Sequence, residues 1–204
     1  MKSIKILIIM IAIFGLIFAA GCAVDTASKE QGQVSHETVE GKISITATLF
    51  PQYDFAREIG GELVEVTLLL PPGMEAHSFE PTPKDIVSLS KTDVFLYTGE
   101  AMEPWAANIV ENLKSQGVLV VDLSEDIPVL ELDDHINDQE DEDGHEDGDY
   151  GVDPHYWTDP NMAVIMTDSI NNALNEADPE NSAYYTENTE VLKEKLVKLD
   201  QDIR

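Results

Sequence analysis

The chain of 204 residues has a single cysteine, Cys22, so no disulfide can form within it. Basic residues are also scarce: 12 lysines and arginines stand against 40 aspartates and glutamates, which gives a formal net charge of −28. Proteins that bind nucleic acid need a basic surface to displace the counterions of the phosphate backbone. The charge therefore argues against a nucleic-acid partner and favours cations.

The sequence also lacks two local patterns of common hydrolases, G-x-S-x-G and H-E-x-x-H. A metalloenzyme would need a general base beside a metal-bound water, and the local candidates for that base are Glu75 and Glu80, on either side of His77. No other catalytic constellation is present in the sequence. We therefore expect a protein that is not an enzyme and has no catalytic residues.

A long apolar run lies near the N-terminus. Lys2 and Lys5 precede an apolar segment over residues 6–18, and small residues lead from there to Cys22. The run is shorter than the roughly 20 residues that span a membrane, which favours an export signal peptide over residues 1–21. The position of Cys22 resembles the lipobox cysteine of bacterial lipoproteins, and this resemblance implies acylation and a lipid anchor on the extracytoplasmic side of the membrane. The polar, aperiodic residues 22–41 are predicted to form a flexible tether.

From residue 42 onward, strand-like and helix-like segments alternate. Four strands are predicted, over residues 42–50, 63–70, 93–99 and 118–124. Helices lie between them, including one over residues 103–117 that ends at Gly117. Strands separated by helices imply right-handed crossovers and a parallel sheet covered on both faces. The predicted fold class is therefore α/β, a four-stranded parallel sheet with flanking helices, in a lobe over residues 42–181.

Two helices are predicted to follow. Asp159 is expected to cap the first, and Pro160 is expected to occupy its first turn. The second begins at about Ser182 and carries one apolar stripe at helical spacing, formed by Tyr185, Leu192, Leu196, Leu199 and Ile203.

Two histidines are expected to meet at one edge of the sheet. His77 lies a few residues beyond the second strand, and His155 lies on the segment by which the chain returns after the fourth strand. Open parallel sheets bind ligands in the crevice outside the carboxyl ends of their strands. The topology therefore pairs His77 with His155 as candidate metal ligands, although a single loop histidine is more often an ordinary exposed residue.

The segment between the fourth strand and His155 is strongly acidic. Residues 131–150 contain eleven acids, His135 and His145, and no basic residue. Such a composition cannot pack, so a disordered loop is predicted. The spacing does not supply the final glutamate of an EF-hand. Imidazoles among carboxylates can bind zinc transiently, so a weak cation-collecting role and a solubilising role both remain open.

Several stretches resemble the metal-specific solute-binding lipoproteins of ABC importers, the zinc and manganese group. They are "PPGMEAHSFEPTPKDI", "GEAMEPW", the acidic segment, "DPHYWTDPNMA" and "DPENSAYYTENTEVLKEKLVKLDQDIR", and the resemblance runs from about Ile43 to Arg204. Members have two α/β lobes joined by a long helix, with the metal between the lobes. The resemblance implies that His77 and His155 are the first two metal ligands.

The same resemblance implies that residues 182–204 begin the helix between the lobes, and that the second lobe with the remaining ligands is missing from this chain. A zinc ion held by His77 and His155 would then need water or a nearby carboxylate such as Glu75, with His135 and His145 as further auxiliary contacts. Four residues of the last helix, Leu192, Leu196, Leu199 and Ile203, are expected to be uncovered.

The function implied is extracytoplasmic capture of a divalent transition metal and its delivery to an ABC importer permease in the membrane. Zinc is favoured, because acidic loops that carry histidines are associated with the zinc members of the group. A manganese-specific protein of the same group and a surface metal-binding adhesin are the alternatives.

Overall fold

The computed structural model describes residues 41–128 and 153–204. Within them the chain forms four strands, namely β1 (Ile43–Ala47), β2 (Val64–Leu68), β3 (Val94–Tyr97) and β4 (Leu119–Asp122). It also forms five α-helices, namely α1 (Phe50–Gly60), α2 (Pro83–Leu89), α3 (Val110–Ser115), α4 (Pro160–Ala177) and α5 (Ser182–Ile203).

The four strands form one parallel sheet in the order β2-β1-β3-β4. In the central strands Ile45 of β1 pairs with Val66 of β2 and with Val94 of β3. All four residues of β3 are buried, as expected for a strand with helices on both faces of its sheet. The predicted α/β class and the parallel sheet are confirmed, although each strand is shorter than the sequence pattern indicated.

Three helix boundaries follow the sequence signals. An oxygen of the Asp159 side chain accepts the backbone N–H of Asn161 at 2.8 Å, and Pro160 is the first residue of α4. Helix α1 ends before Gly61, whose φ of +52° lies in the left-handed region that glycine tolerates best. Gly117, with φ of +90°, follows α3 in the same way.

The helix predicted over residues 103–117 is interrupted. A short 3₁₀ helix covers Pro104–Asn108, and α3 begins only at Val110. In this part the N–H of Ile109 bonds to the carbonyl of Ala106, three residues back, so the chain is wound more tightly than an α-helix. The ring of Trp105 packs against Phe79 and Phe95, and this tertiary packing could not be inferred from local spacing.

The long helix α5 packs against α4 and α1. Tyr185, Leu192 and Leu196 are buried in the main core, whereas Leu199 and Ile203 are 48% and 64% exposed. The expectation that Leu192, Leu196, Leu199 and Ile203 are all uncovered was therefore wrong for Leu192 and Leu196. These two leucines are covered because α4 and α1 supply an apolar surface for the first part of α5.

Several predicted features lie outside the described residues. They are the signal peptide over residues 1–21 with the following Cys22, residues 22–40 of the tether, and the acidic segment 131–150 with His135 and His145. In the part of the chain that the structure describes, no helix is both long enough and apolar enough to cross a membrane.

Candidate metal centre

The loop that carries His77 begins as a continuation of β2. Beyond the last strand residue, the N–H of Leu69 bonds to the carbonyl of Ala47 at 2.8 Å and the N–H of Leu70 bonds to that of Thr48 at 3.1 Å. Pro71 follows directly and cannot donate a further ladder hydrogen bond. The chain therefore leaves the sheet at its carboxyl edge, and the loop that follows holds His77 above that edge.

Glu75 closes the His77 loop on itself. Its two carboxylate oxygens accept the backbone N–H of His77 at 3.0 Å and the backbone N–H of Ser78 at 2.8 Å. These hydrogen bonds, that of His77 first, hold the pKa of the Glu75 carboxyl below its ordinary value. Glu75 thus shapes the segment around His77, and its role as an auxiliary metal contact stays a prediction.

His155 is oriented by the carboxylate of Asp153. One oxygen of Asp153 accepts the backbone N–H of His155 at 2.9 Å and lies 3.1 Å from Nδ1 of its ring. The hydrogen bond from the backbone N–H of His155 is the largest effect that lowers the pKa of Asp153. The hydrogen bond with the ring of His155 lowers the pKa further. A proton on Nδ1 satisfies this contact, which leaves the lone pair of Nε2 for a metal.

The residue after His155 anchors this segment in the core. Tyr156 begins a short 3₁₀ helix, Tyr156–Thr158, and its ring is buried. Its hydroxyl donates to the carbonyl of Thr98 at 2.9 Å, just beyond the carboxyl end of β3. Burial, with the negative charge of Glu103, raises the pKa of the Tyr156 hydroxyl, so it stays a hydrogen-bond donor at neutral pH.

The structure brings His77 and His155 together. Their ring centres are 5.4 Å apart, with the ring planes at 69°. Both rings line a cleft of about 410 Å³, whose apolar wall includes Phe50, Met74 and Trp157. The side chain of His155 is 53% exposed, so an ion from solvent can reach the pair. The predicted meeting of the two histidines at one edge of the sheet is confirmed, and their role as ligands stays a prediction.

The spacing of the pair fits a zinc ion. Two imidazoles on one tetrahedral zinc, each with its nitrogen about 2.0–2.1 Å from the ion, have ring centres about 5 Å apart. Across residues 41–128 and 153–204, no group of three or more histidine, cysteine, aspartate or glutamate side chains is arranged to hold a metal ion. The described residues therefore bring together two candidate ligands, His77 and His155.

A buried carboxyl lies beneath the carboxyl edge of the sheet. Glu103 is 2% exposed, accepts hydrogen bonds from the hydroxyl and the N–H of Thr98 at 2.9 and 3.0 Å, and lies 2.5 Å from the hydroxyl oxygen of Thr48. Burial raises the pKa of Glu103 to about 7, although these hydrogen bonds oppose the shift.

Sequence reasoning assigned no role to Asp153, Tyr156 or Glu103. Asp153 had a local signal, because an aspartate two residues before a loop residue commonly accepts its backbone N–H. Tyr156 bonds to a residue 58 positions away, and Glu103 bonds to one 55 positions away. Contacts over such separations leave no periodic pattern in the sequence.

An open parallel α/β lobe with a solvent-accessible pair of imidazoles at its carboxyl edge is the architecture of a ligand-binding protein. Residues 45–204 match the family model ZnuA, described as zinc-uptake complex component A, periplasmic, and the chain belongs to this family.

Named relatives agree with this membership. The zinc-binding protein AdcA of Streptococcus pyogenes serotype M3 is 31% identical over 181 residues, which are 83% of this chain and 35% of that protein. The high-affinity zinc uptake system protein ZnuA of Bacillus subtilis is 30% identical over 196 residues, which are 92% of this chain and 59% of that protein. The crystal structure of Zn(II)-bound AdcA from Streptococcus pneumoniae superposes with a TM-score of 0.67 at 28% identity, covering 79% of this chain and 32% of that one. The chain thus spans about a third to three-fifths of the length of these proteins.

Proposed function

We propose that this chain captures a divalent transition metal, with zinc as the favoured ion, between His77 and His155. The observation that carries the proposal is the exposed pair of imidazoles with ring centres 5.4 Å apart. The Asp153 carboxylate beside Nδ1 of His155 supports it, because histidines that bind metal usually donate their other ring N–H to such a group.

Zinc is preferred over manganese on chemical grounds. Imidazole nitrogen binds zinc more tightly than manganese, whereas manganese suits carboxylates and water better. Several relatives of this chain are named zinc-binding proteins, which supports the same choice. We infer that manganese is bound more weakly at this pair.

The site is suited to capture rather than to catalysis. The carboxylates nearest to the histidines in sequence, Glu75 and Asp153, already accept backbone N–H groups. Those contacts lower the pKa of both carboxyls, and a carboxylate with a lowered pKa is a poor general base. We infer that neither activates a metal-bound water, which favours capture over catalysis at this pair of histidines.

We also propose an extracytoplasmic location and an ABC importer permease as partner. The family description, a periplasmic component of a zinc-uptake complex, supports both. In this proposal residues 1–21 are removed on export and Cys22 carries the lipid anchor. Residues 42–181 form the metal-binding lobe and residues 182–204 begin the helix between lobes.

Loss of membrane association and of acyl mass in a Cys22→Ser chain tests the lipid anchor. Recovery of the unsubstituted protein in soluble form without acyl groups would refute the anchor.

A competition titration against a zinc chelator tests metal capture. The unsubstituted chain should bind zinc, and His77→Ala and His155→Ala should each weaken the affinity by about tenfold or more, because each removes one of two protein ligands. His36→Ala, in the predicted tether, is the matched control and should leave the affinity unchanged. The same titration with manganese should give weaker binding. Zinc binding that is unchanged by both site substitutions would place the metal elsewhere and refute the proposal.

A further inference from the structure

We propose that the buried Glu103 is a positioning residue for the metal site. It holds in place the two chain segments that carry His77 and His155. The proposal rests on the proposed metal-binding function. Glu103 touches neither imidazole in the structure's hydrogen-bond network; it acts through Thr48 and Thr98, which follow β1 and β3 at the carboxyl edge of the sheet.

The first connection leads to His77. The carboxyl of Glu103 lies 2.5 Å from the hydroxyl oxygen of Thr48, and the carbonyl of Thr48 accepts the N–H of Leu70 at 3.1 Å. Leu70 is the last residue before Pro71, where the His77 loop leaves the sheet. A shift of Thr48 would therefore move the start of that loop.

The second connection leads to His155. The N–H of Thr98 donates to one oxygen of Glu103 at 3.0 Å and the hydroxyl of Thr98 donates to the other at 2.9 Å. The carbonyl of Thr98 in turn accepts the hydroxyl of Tyr156 at 2.9 Å. Because Tyr156 is adjacent to His155, the same carboxyl fixes the support of the second imidazole.

The cluster is closed to solvent, so water cannot replace these hydrogen bonds. Glu103, Thr48, Thr98 and Gln52 are each at most 2% exposed. The amide of Gln52 completes the cluster by donating to the Thr98 hydroxyl at 2.5 Å and accepting from the Thr48 hydroxyl at 2.9 Å. A buried network in which each polar group has a partner is rigid, and removing one member leaves the others unpaired. Metal sites depend on such support, because ligands must be held close to their productive geometry.

Three variants test the proposal. Glu103→Ala removes the carboxyl, and Tyr156→Phe removes only the hydroxyl that joins the His155 segment to Thr98. Glu103→Gln is the conservative variant, since its amide oxygen can accept the Thr98 N–H while its amide nitrogen donates its two hydrogens to the hydroxyl oxygens of Thr48 and Thr98. Thr92→Val is the matched control: it deletes a buried hydroxyl that donates to the Ser44 carbonyl at 3.0 Å, at the opposite edge of the same sheet.

Two measurements are needed on each chain. The first is the nuclear Overhauser contact between ring protons of His77 and His155 in the metal-free protein, which reports the proximity of the two rings, whose centres lie 5.4 Å apart. The second is the affinity for Zn²⁺ in a chelator competition. We expect Glu103→Ala and Tyr156→Phe to weaken or abolish the ring contact and to lower zinc affinity by about tenfold or more. Glu103→Gln should restore both, and Thr92→Val should change neither.

The outcomes separate the two proposals. A folded Glu103→Ala chain that keeps the ring contact and the zinc affinity would overturn the positioning role. If Glu103→Ala does not fold, Tyr156→Phe decides, and its native behaviour in both measurements would overturn the role. Failure of the unsubstituted chain to bind Zn²⁺ through the histidines would refute metal capture, while the ring contact in the metal-free variants would still decide whether Glu103 positions the pair.

Discussion

The smallest unit of the site is the pair formed by His155 and Asp153. One carboxylate oxygen contacts both the backbone N–H and the ring Nδ1 of His155. It therefore fixes the position of the loop and the tautomer of the ring with a single group. A metal ligand that is held in this way needs less reorganisation when the ion arrives, so Asp153 should matter although it is not itself a proposed ligand.

Replacing Asp153 by alanine should lower zinc affinity by about tenfold, because the ring of His155 loses the partner that selects its tautomer. Asp153→Asn keeps an acceptor oxygen and should have a smaller effect. Asp202→Ala, near the far end of α5, removes the same charge away from the site and serves as the control. A chelator competition titration measures all four chains. Equal affinities for Asp153→Ala and the unsubstituted chain would show that the contact does not orient the ligand.

The buried carboxyl of Glu103 should make stability depend on pH. Burial raises its pKa from an ordinary 4.5 to about 7, with a smaller contribution from the charge of Asp122. The unfolded chain therefore releases this proton at a lower pH than the folded chain does. The stability gained from the protonated form is complete below the ordinary pKa and is lost as the pH rises towards about 7. The loss amounts to about 3 kcal/mol.

Denaturant unfolding at about pH 5 and about pH 8 checks this, with the Glu103→Gln chain as the comparison. Glutamine does not titrate, so that chain should lose less stability between the two pH values. Glu62→Gln removes an exposed carboxyl and should leave the pH dependence as it is. The same decline in the Glu103→Gln chain and the unsubstituted chain would exclude Glu103 as its source.

At this scale, the sequence was informative about His77 and His155 but not about their supports. The two histidines could be paired because a parallel sheet brings its carboxyl ends to one edge, whatever the side chains between them. The supports depend on side-chain contacts such as Tyr156 to Thr98 and Glu103 to Thr48. Those contacts require the actual packing of the lobe, which one sequence does not reveal.

At the scale of elements, short-range chemistry determined where α1, α3 and α4 end or begin, but packing determined the rest. Asp159 and Pro160 open α4 and Gly61 follows α1 as their local preferences indicate. Spacing alone could not show that Trp105 packs between Phe79 and Phe95, where the chain winds into a 3₁₀ helix before α3. It also could not show how much of the α5 stripe is covered.

The two halves of that stripe should respond differently to truncation. Leu192 is 6% exposed and lies in the main core, so Leu192→Ala should lower the free energy of unfolding by about 2–4 kcal/mol. Leu199 is 48% exposed, so Leu199→Ala should cost about 0.5 kcal/mol or less. Denaturant unfolding of both chains measures the difference. Equal costs would mean that α5 does not pack on α4 and α1 as the structure has it.

For the whole molecule, the dominant property is its negative charge. A formal charge of −28 attracts divalent cations towards the protein and favours their encounter with the histidine pair. Such long-range attraction is screened by salt, whereas coordination by imidazoles is much less affected. At the proposed site, charge and coordination should therefore contribute separately, the first to the rate of capture and the second to the strength of binding.

The acidic segment is the part of the chain in which this separation can be tested. Deleting residues 133–149 removes ten acids together with His135 and His145, and leaves His77 and His155 in place. We expect the free energy of unfolding and the affinity of the principal zinc site to be unchanged, because a segment of this composition cannot contribute to a packed core.

Zinc bound per chain at excess metal should fall after the deletion, and capture of scarce zinc at low salt should slow, because weak ligands and negative charge are lost together. Denaturant unfolding followed by circular dichroism measures the free energy of unfolding, equilibrium zinc titration measures the affinity and the zinc bound per chain, and stopped-flow mixing measures the rate of capture. Replacing the same ten acids by their amides while keeping both histidines is the matched control: it should slow capture as the deletion does but retain more of the bound zinc. Unfolding of the lobe on deletion would show that the segment is structural, and loss of the principal site would show that His135 or His145 is one of its ligands.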